Sequence, residues 1–344
     1  MIKSTIGWLS GAGLLLLALQ AGAQNVPSAP AVASSDEIAE IVVTALRRSE
    51  RLQDVPVSIT ALSGDAIARQ ELKQVGDLAA LVPNFQASTV GGDSVPIFSL
   101  RGVSMTDYSM NQQGPVATYF DEDYKGSFPL LPLGMFDLER VEVLRGPQGT
   151  LYGKNTTGGA VNFISHRPEF SREGYVKIGY GNYNRLDAEG ALQIPFGERL
   201  AARVAFTYAK ADGWFRNRFP GQPDTSAVRQ FGIRASFLYK PNDAVDFLLR
   251  LSTSLQNPVG EGDFTVPGPA GIGNGYYELA GGSSYFRTGL GRRELQSNSA
   301  QSVRHRTDGV TLTANWQVRP ELTLTSVSSY DYGKLFYPDD ADGS

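Results

Sequence analysis

The segment 139–145 mixes charged and apolar side chains, and the charged ones could form ion pairs. They are Glu139, Arg140, Glu142 and Arg145. The apolar residues Val141, Val143 and Leu144 are branched or bulky and favour a half-buried strand. Charged groups buried beside such neighbours need oppositely charged partners, because an unpaired charge is costly to remove from water. The segment therefore predicts an internal polar network.

Five glycines follow this strand and predict tight turns with close backbone contacts, because glycine adopts backbone angles closed to other residues. They are Gly146, Gly149, Gly153, Gly158 and Gly159. Part of the run looks like a phosphate-binding loop, since Gly149 and Gly153 precede Lys154. However, a P-loop has four residues between its glycines where this chain has three, and Asn155 offers no hydroxyl for magnesium. Nucleotide binding is therefore excluded.

No other group of residues has the spacing of a catalytic or metal site. The two histidines, His166 and His305, stand apart from any ligand or catalytic cluster, and the chain has no cysteine. Neither a nucleophile elbow nor a zinc-binding spacing occurs. We therefore predict no enzymatic activity, no metal site and no cofactor. A net charge of −4 also gives no broad basic surface for nucleic acid.

The charged strand and its glycine-rich turns are predicted to belong to one compact α+β domain, residues 51–170. Ser63 is placed to cap a helix that runs through Ile67 to Leu72, and Asp77 to cap another that ends before Pro83. Strands are predicted at residues 57–62, 97–101, 118–124 and 139–144.

Residues 137–153, DLERVEVLRGPQGTLYG, and residues 155–162, NTTGGAVN, resemble the plug domain of TonB-dependent outer-membrane receptors almost without interruption. Arg101 and Gly102 resemble the end of a short strand that is another landmark of this family. The resemblance implies that these residues form the plug core. Segment 119–124 occupies the place where the family more often has Val-Asp-Gly-Val, and the missing glycine puts the turn geometry there in question.

The amino terminus predicts export from the cytoplasm. Lys3 precedes an apolar core that ends at Leu19, and the small residues 21–23 fit a cleavage site, so residues 1–23 are predicted to be a signal peptide. Residues 24–50 are predicted to be a flexible periplasmic segment, because the Ala-, Pro- and Ser-rich start cannot bury enough apolar surface to order itself.

A short β-prone island within that segment could pair with a strand. It consists of Ile41, Val42, Val43, Thr44 and Ala45. From the residues alone, two interpretations are open: a first strand of the plug, or an edge that adds itself to the sheet of another protein. Its position ahead of a plug-like domain resembles the TonB box, which implies TonB as a direct partner, with ExbB and ExbD as indirect ones.

From residue 171 to residue 344, apolar side chains recur on alternate positions in seven runs, which predicts antiparallel strands. A soluble β-sandwich would show the same alternation, but the links favour a membrane barrel. The links at 195–198, 240–243 and 319–321 are tight, whereas 211–227 and 255–305 are long, as expected of periplasmic turns and extracellular loops. Aromatic side chains are placed to lie at the lipid interfaces: Tyr180, Tyr208, Tyr239 and Trp316.

Seven strands are too few to surround a plug of about a hundred residues, since plugged transporters use about twenty-two strands. We therefore expect an incomplete barrel and an amino-terminal fragment of a longer receptor. A truncated gene, an incomplete assembly and a real split protein are all compatible with this expectation. Expressed alone, the chain is expected to expose unpaired strand edges and to aggregate.

The resemblance implies TonB-dependent active uptake of a scarce solute, a ferric siderophore or a similar chelate, across the outer membrane of a Gram-negative bacterium. It also implies contact with outer-membrane lipid and the barrel assembly machinery. The candidate contacts to the external solute lie in plug loops and one aromatic loop: Asp93, Ser94, Tyr108, Gln112, Tyr276, Tyr277, Tyr285 and Phe286. The alternatives are a TonB-independent porin or surface-binding protein, and a secreted β-rich enzyme whose catalytic residues the sequence does not reveal.

Overall fold

Strands make up more than half of the residues that the structure describes and form two main sheets. The structure is a computed structural model, and it describes residues 42–44, 47–48, 50–90, 95–105, 109, 112–131, 134–259, 291–295 and 302–338. No helix in these ranges is both long and apolar enough to cross a membrane.

The first half of the described chain combines short strands with a few short helices. Helix α1 spans Gly64–Arg69 and α2 spans Gly149–Tyr152, and 3-10 helices span Leu52–Asp54, Val75–Ala80 and Phe128–Leu130. The strands are β1 (Val42–Val43), β2 (Glu50–Arg51), β3 (Ile59–Ser63), β4 (Phe85–Val90), β5 (Val95–Leu100), β6 (Val116–Phe120), β7 (Asp123–Tyr124), β8 (Leu138–Arg145) and β9 (Gly159–Ser165).

A five-stranded sheet in the order β3-β8-β9-β6-β7 is the centre of this part. Strands β6 and β9 run parallel, and the other pairs are antiparallel. Val141 and Val143 of β8 pack on one face of the sheet with Leu78 and Phe163. Leu144 packs on the other face with a second apolar cluster. Because both faces are covered, the charged residues of β8 lie beside buried apolar side chains.

The helix starts are close to the predicted ones, with one correction. Ser63 caps α1, and its Oγ accepts a hydrogen bond from Ala66 N at 3.3 Å, although the helix ends at Arg69 before reaching Leu72. Asp77 was predicted as an N-cap and this was wrong. It is the third residue of a 3-10 helix capped by Gln74. Its carboxylate reaches back to accept from the backbone N of Lys73 and of Gln74, at 2.8 and 3.0 Å.

The predicted strand 118–124 is divided by a tight turn that lacks the glycine of the family pattern. Asp121 and Glu122 occupy the turn with φ of 50° and 71°, in the left-handed region. The Asp121 carboxylate accepts hydrogen bonds from Ser165 N at 2.8 Å and Ser165 Oγ at 2.7 Å. These bonds offset the cost of the unfavourable backbone angle, so the hairpin forms without glycine.

Replacing Glu122 with glycine is expected to stabilise the domain around the five-stranded sheet, which is called the plug from here on because of its resemblance to that domain. A left-handed φ costs a residue with a Cβ about 1–2 kcal/mol, whereas glycine adopts it freely. After the extra chain entropy of glycine in the unfolded state, a net gain of about 0.5–1 kcal/mol is expected. Hydrogen exchange of peptides covering β6 and β7 measures the change. Gly102→Ala is the matched control, because it places a Cβ at φ 78° where no neighbouring atom interferes. This change is expected to destabilise the plug. Slower exchange in that variant would contradict the argument.

The second half of the described chain is a seven-stranded antiparallel sheet, as predicted. Each long strand pairs with the next long strand along the chain, and the short β13 and β16 pair in parallel outside this sheet. The strands are β10 (Glu173–Gly181), β11 (Arg185–Phe196), β12 (Leu200–Ala211), β13 (Arg216–Asn217), β14 (Val228–Asn242), β15 (Val245–Gln256), β16 (Glu294–Leu295), β17 (Arg304–Arg319) and β18 (Leu322–Phe336).

The two faces of this sheet have different surroundings. Apolar side chains such as Val176, Ile178 and Trp316 are exposed on one face, while the other packs against the plug. Tight turns join the strands at 197–199, 243–244 and 320–321, and long links at 212–227 and 257–303. The link at 182–184, between β10 and β11, is short although it lies at the same end as the long ones.

Candidate functional site

The segment 41–45 that resembles a TonB box is called the box-like segment, and its described residues, Val42, Val43 and Thr44, lie against the plug sheet. Val42 and Val43 form β1, which pairs with Glu50 and Arg51 of β2. The Val43 side chain is fully buried in the apolar cluster that contains Leu144 and Tyr152. Because β1 has only two paired residues, the buried Val43 side chain and the polar contacts of Thr44 provide most of its attachment to the plug.

Thr44 provides the polar part of the attachment. Its backbone N donates to Glu142 Oε1 at 2.7 Å, and its hydroxyl donates to the same oxygen at 3.1 Å. Glu142 is fully buried in the middle of β8. Because a charged acceptor strengthens a hydrogen bond, this carboxylate is a specific anchor for Thr44.

Arg140 balances the buried charge of Glu142. Its Nε donates to Glu142 Oε1 at 2.8 Å, and its other nitrogens donate to Glu139 and, at 3.3 Å, to Thr44 Oγ1. Three of the four predicted charged residues therefore form one network with Thr44. Arg145 lies apart from it, with a 3.5 Å contact to Ile59 O and a buried Nε that has no hydrogen-bond partner among the described residues.

Four of the predicted glycines have backbone angles that other residues rarely adopt. They are Gly102 (φ 78°), Gly146 (φ 101°), Gly153 (φ 77°) and Gly159 (φ 146°). Gly158 is limited by space, because a Cβ there would lie 3.2 Å from Val103 and Val116. Gly149 is the first residue of α2 and has open space around it, so it meets neither requirement.

Three other described candidates, Arg101, Gln112 and Asn155, lie in loops or turns. Arg101 is exposed and has a left-handed φ of 53°. Asn155 also has a positive φ, and its side-chain nitrogen donates to Gln113 and, at 2.8 Å, to Tyr124 Oη. Gln112 is exposed, and its backbone N donates to Ser109 O at 2.9 Å. No cluster of described residues could hold a metal ion.

Several predicted residues lie outside the described part of the chain. In the box-like segment these are Ile41 and Ala45. Among the candidate solute contacts they are Asp93, Ser94, Tyr108, Tyr276, Tyr277, Tyr285 and Phe286.

Arg47, three residues after Thr44, contacts the plug in a way that the sequence interpretation missed. Its guanidinium carbon lies 5.3 Å from the centre of the Tyr119 ring and 4.8 Å from that of Tyr152, within cation–π range. It also lies 3.8 Å from the Glu122 carboxylate. A single arginine after an apolar island gives no sequence signal, because the two tyrosines come from distant parts of the chain.

Burial raises the pKa of Tyr152, and the nearby Glu142 charge acts in the same direction. The pKa of Tyr119 is also raised by burial, against the effect of Arg47. A tyrosine whose pKa is raised in the folded state keeps its full contribution to stability below the unfolded value of about 10. That contribution is lost as the pH rises above this value.

Tyr152→Phe is therefore expected to reduce the loss of stability above about pH 10. At neutral pH the change should cost little, because Tyr152 Oη has no hydrogen-bond partner among the described residues. Tyr119→Phe is the matched control, since its hydroxyl donates to Tyr152 O, and it should cost about 1 kcal/mol. Hydrogen exchange of plug peptides across this pH range measures both. Equal costs at neutral pH would contradict the assignment.

The inner face of the seven-stranded sheet contacts the plug through polar groups. Lys125 of the plug lies between Asp123 and Asp331, 2.7 Å from the latter, and Ser329 Oγ donates to Asp123 at 2.6 Å. His305 Nε2 lies 3.0 Å from Pro129 O. A Cβ on Gly333 would lie 2.4 Å from the same oxygen, so the plug backbone packs directly on β18.

Comparison with known proteins agrees with this architecture. Residues 51–160 match the family model described as TonB-dependent Receptor Plug Domain. The pesticin receptor of Yersinia pestis is 28% identical over 219 residues, which are 63% of this chain and 31% of that protein. The ferrioxamine receptor of Yersinia enterocolitica is 26% identical over 225 residues, or 64% and 30%. The chain thus spans about a third of the length of these relatives.

Solved structures show the same fold at lower sequence identity. The ferric yersiniabactin uptake receptor FyuA from Yersinia pestis gives a TM-score of 0.66 at 22% identity, covering 80% of this chain and 40% of that one. The ferric-catecholate import receptor Fiu from E. coli K12 gives 0.63 at 18%, covering 82% and 39%. The matched family consists of receptors and transporters and not of enzymes, as predicted from the absence of a catalytic motif.

Proposed function

We propose that this chain, as a member of the TonB-dependent receptors, supplies the plug and the first seven barrel strands of an active outer-membrane transporter. The transported solute is a scarce metal chelate, with a ferric siderophore as the first candidate. This choice is supported by the names of similar proteins, which include a ferrioxamine receptor and a vitamin B12 transporter. The external solute binds first, and TonB, coupled through ExbB and ExbD, then drives its passage.

The proposal divides the chain into four parts. Residues 1–23 direct export as a signal peptide, and residues 24–50 form the periplasmic segment that TonB engages. Residues 51–170 form the plug, and residues 171–344 are barrel strands that the barrel assembly machinery inserts into outer-membrane lipid. The proposed solute contacts are Asp93, Ser94, Tyr108, Gln112 and the aromatic residues 276, 277, 285 and 286.

One observation supports the proposal most directly, namely the way in which Val43 and Thr44 attach to the plug. Two paired residues, one buried valine and one carboxylate anchor make a contact that a partner protein can replace by pairing with the same strand. A lumen that is filled by a folded domain does not conduct passively. Work must therefore enter through a part of that domain that a partner can reach, and the exposed Val42 of the short strand β1 is such a part.

Deleting residues 41–45 from the full-length receptor that carries this chain tests the proposal. Uptake of radiolabelled ferric siderophores and of cobalamin by iron-starved cells is expected to fall to the level of a strain without TonB. Deleting five residues in the Ala- and Pro-rich stretch, 26–30, is the matched control and should leave uptake unchanged. Equal uptake by both deletion variants would indicate a TonB-independent porin or surface-binding protein instead.

A further inference from the structure

We propose that three barrel arginines hold the plug against one wall of the barrel and keep the lumen closed to passive solutes. The arginines are Arg203 on β12, Arg234 on β14 and Arg250 on β15, and their partners are the plug residues Asp121 and Asp137. We call these five residues the arginine clamp. The inference rests on the proposed function only in placing the plug inside a closed barrel.

The three arginines form one group because of the strand register. Arg203 and Arg250 both lie opposite Ser236 of β14, one on each neighbouring strand. Arg234 precedes Ser236 by two residues and therefore points to the same face of the sheet. All three arginines and both aspartates are buried, with at most 8% of each residue exposed. Each buried charge is costly to desolvate, so a cluster of five at the plug–barrel interface indicates that the groups compensate one another there.

Each arginine makes a different contact with the plug. Arg203 binds the Asp137 carboxylate with two nitrogens, one at 2.9 Å, which fixes orientation as well as distance. Arg234 donates to the backbone oxygens of Phe136 and Asp137, at 3.0 and 2.9 Å. Arg250 lies 3.2 Å from the Asp121 carboxylate. The contacts thus involve both side chains and main chain of the plug.

Aromatic rings of the plug complete the contact around Arg234. Its guanidinium carbon lies 5.3 Å from the centre of the Phe120 ring and 4.8 Å from that of Phe136. Arginine in such a desolvated position gains cation–π attraction in addition to its hydrogen bonds. Phe120 and Phe136 precede the two clamp aspartates directly in the sequence, so the plug presents one ring and one acid at each of two points.

Backbone angles give independent support for the importance of the two acids. Asp121 and Asp137 have φ of 50° and 49°, in the left-handed region where glycine is the least strained residue. Strained residues of this kind persist where the surrounding structure requires them. At both positions the side chain that glycine lacks is the one that a barrel arginine binds.

Asp137→Asn in the full-length receptor tests the clamp, because the change removes the charge, keeps the size and tolerates a left-handed φ. Breaking a buried ion pair on one side is strongly unfavourable, so TonB-independent entry of vancomycin into cells should rise by at least about tenfold. Purified receptor in planar bilayers should show matching conductance. The double variant Asp137→Asn with Arg203→Gln, which removes both charges, is expected to recover most of the seal.

Lys73→Gln is the matched control, because it breaks a plug–barrel ion pair of 3.3 Å to Asp187 at a half-exposed position and should cause no leak. Heat-modifiable migration of the receptor shows that each variant has assembled. If Asp137→Asn does not assemble, Arg203→Lys, which keeps the charge but loses the double hydrogen bond, is expected to leak several-fold. Assembled variants that leak no more than Lys73→Gln would overturn the proposal. Neither readout depends on TonB or on the solute, so a failure of the proposed uptake function is distinguishable.

Discussion

Replacing Gly159 with alanine is expected to lower the free energy of unfolding of the plug by about 4 kcal/mol, one of the largest effects a single substitution produces. Gly159 begins β9 with φ 146°, and a Cβ there would lie 2.2 Å from Leu144 O. That oxygen belongs to the neighbouring strand β8 in the centre of the sheet. Neither strand can move aside without disturbing the apolar clusters on both faces.

Hydrogen exchange of peptides that cover β8 and β9 measures this loss as a lower opening free energy. Gly149→Ala is the matched control ten residues earlier, where nothing lies within 4 Å and the residue is helical. Alanine favours a helix over glycine, so this variant should be neutral or more stable by about 0.5–1 kcal/mol. Equal opening free energies of the two variants would show that Leu144 O does not exclude a side chain at Gly159.

Glu142→Ala is expected to destabilise the plug by about 3–5 kcal/mol and to release the box-like segment. The change removes the acceptor for Thr44 N and leaves Arg140 without its buried partner. Removing one member of a buried ion pair is far more costly than weakening an exposed one. Because β1 has only two paired residues, losing the anchor should free residues 42–51 before the rest of the plug opens.

The same exchange experiment separates the two effects, since peptides from residues 42–51 report release and peptides from β8 and β9 report stability. Glu139→Ala is the matched control, because Glu139 also pairs with Arg140 but is exposed to solvent. Its loss should therefore cost less than about 1 kcal/mol and leave the segment in place. Protection of residues 42–51 that is unchanged by Glu142→Ala would show that Val43 alone holds the segment.

Local features of the fold were predictable from the sequence because they depend on neighbouring residues. The seven barrel strands follow from alternation along each run, and their tight turns follow from the turn-forming residues between them. The Ser63 cap depends on residues only three positions apart. The plug was recognisable because residues 137–153 and 155–162 are long ordered runs that resemble the family almost without interruption.

Features that depend on distant residues were predicted less well. Asp77 had the right composition for an N-cap, but the position of Gln74 decided its role. Arg145 has the same charge as Arg140 and lies in the same strand, yet only Arg140 lies within reach of Glu142. Gly149 and Gly159 look equivalent in the sequence. Only Gly159 lies so close to Leu144 O that no side chain fits there.

The sequence by itself determined that a plug-like domain precedes antiparallel strands with one apolar face. Both features can be recognised from neighbouring residues, one as a long motif and the other as an alternation of apolar side chains. Only the tertiary structure decided which charged groups meet. Thr44 lies 98 residues from Glu142, and Arg203 lies 66 from Asp137, so no local pattern records either contact. Packing brings each pair into a site from which water is excluded, and this burial is what turns ordinary charged residues into specific anchors.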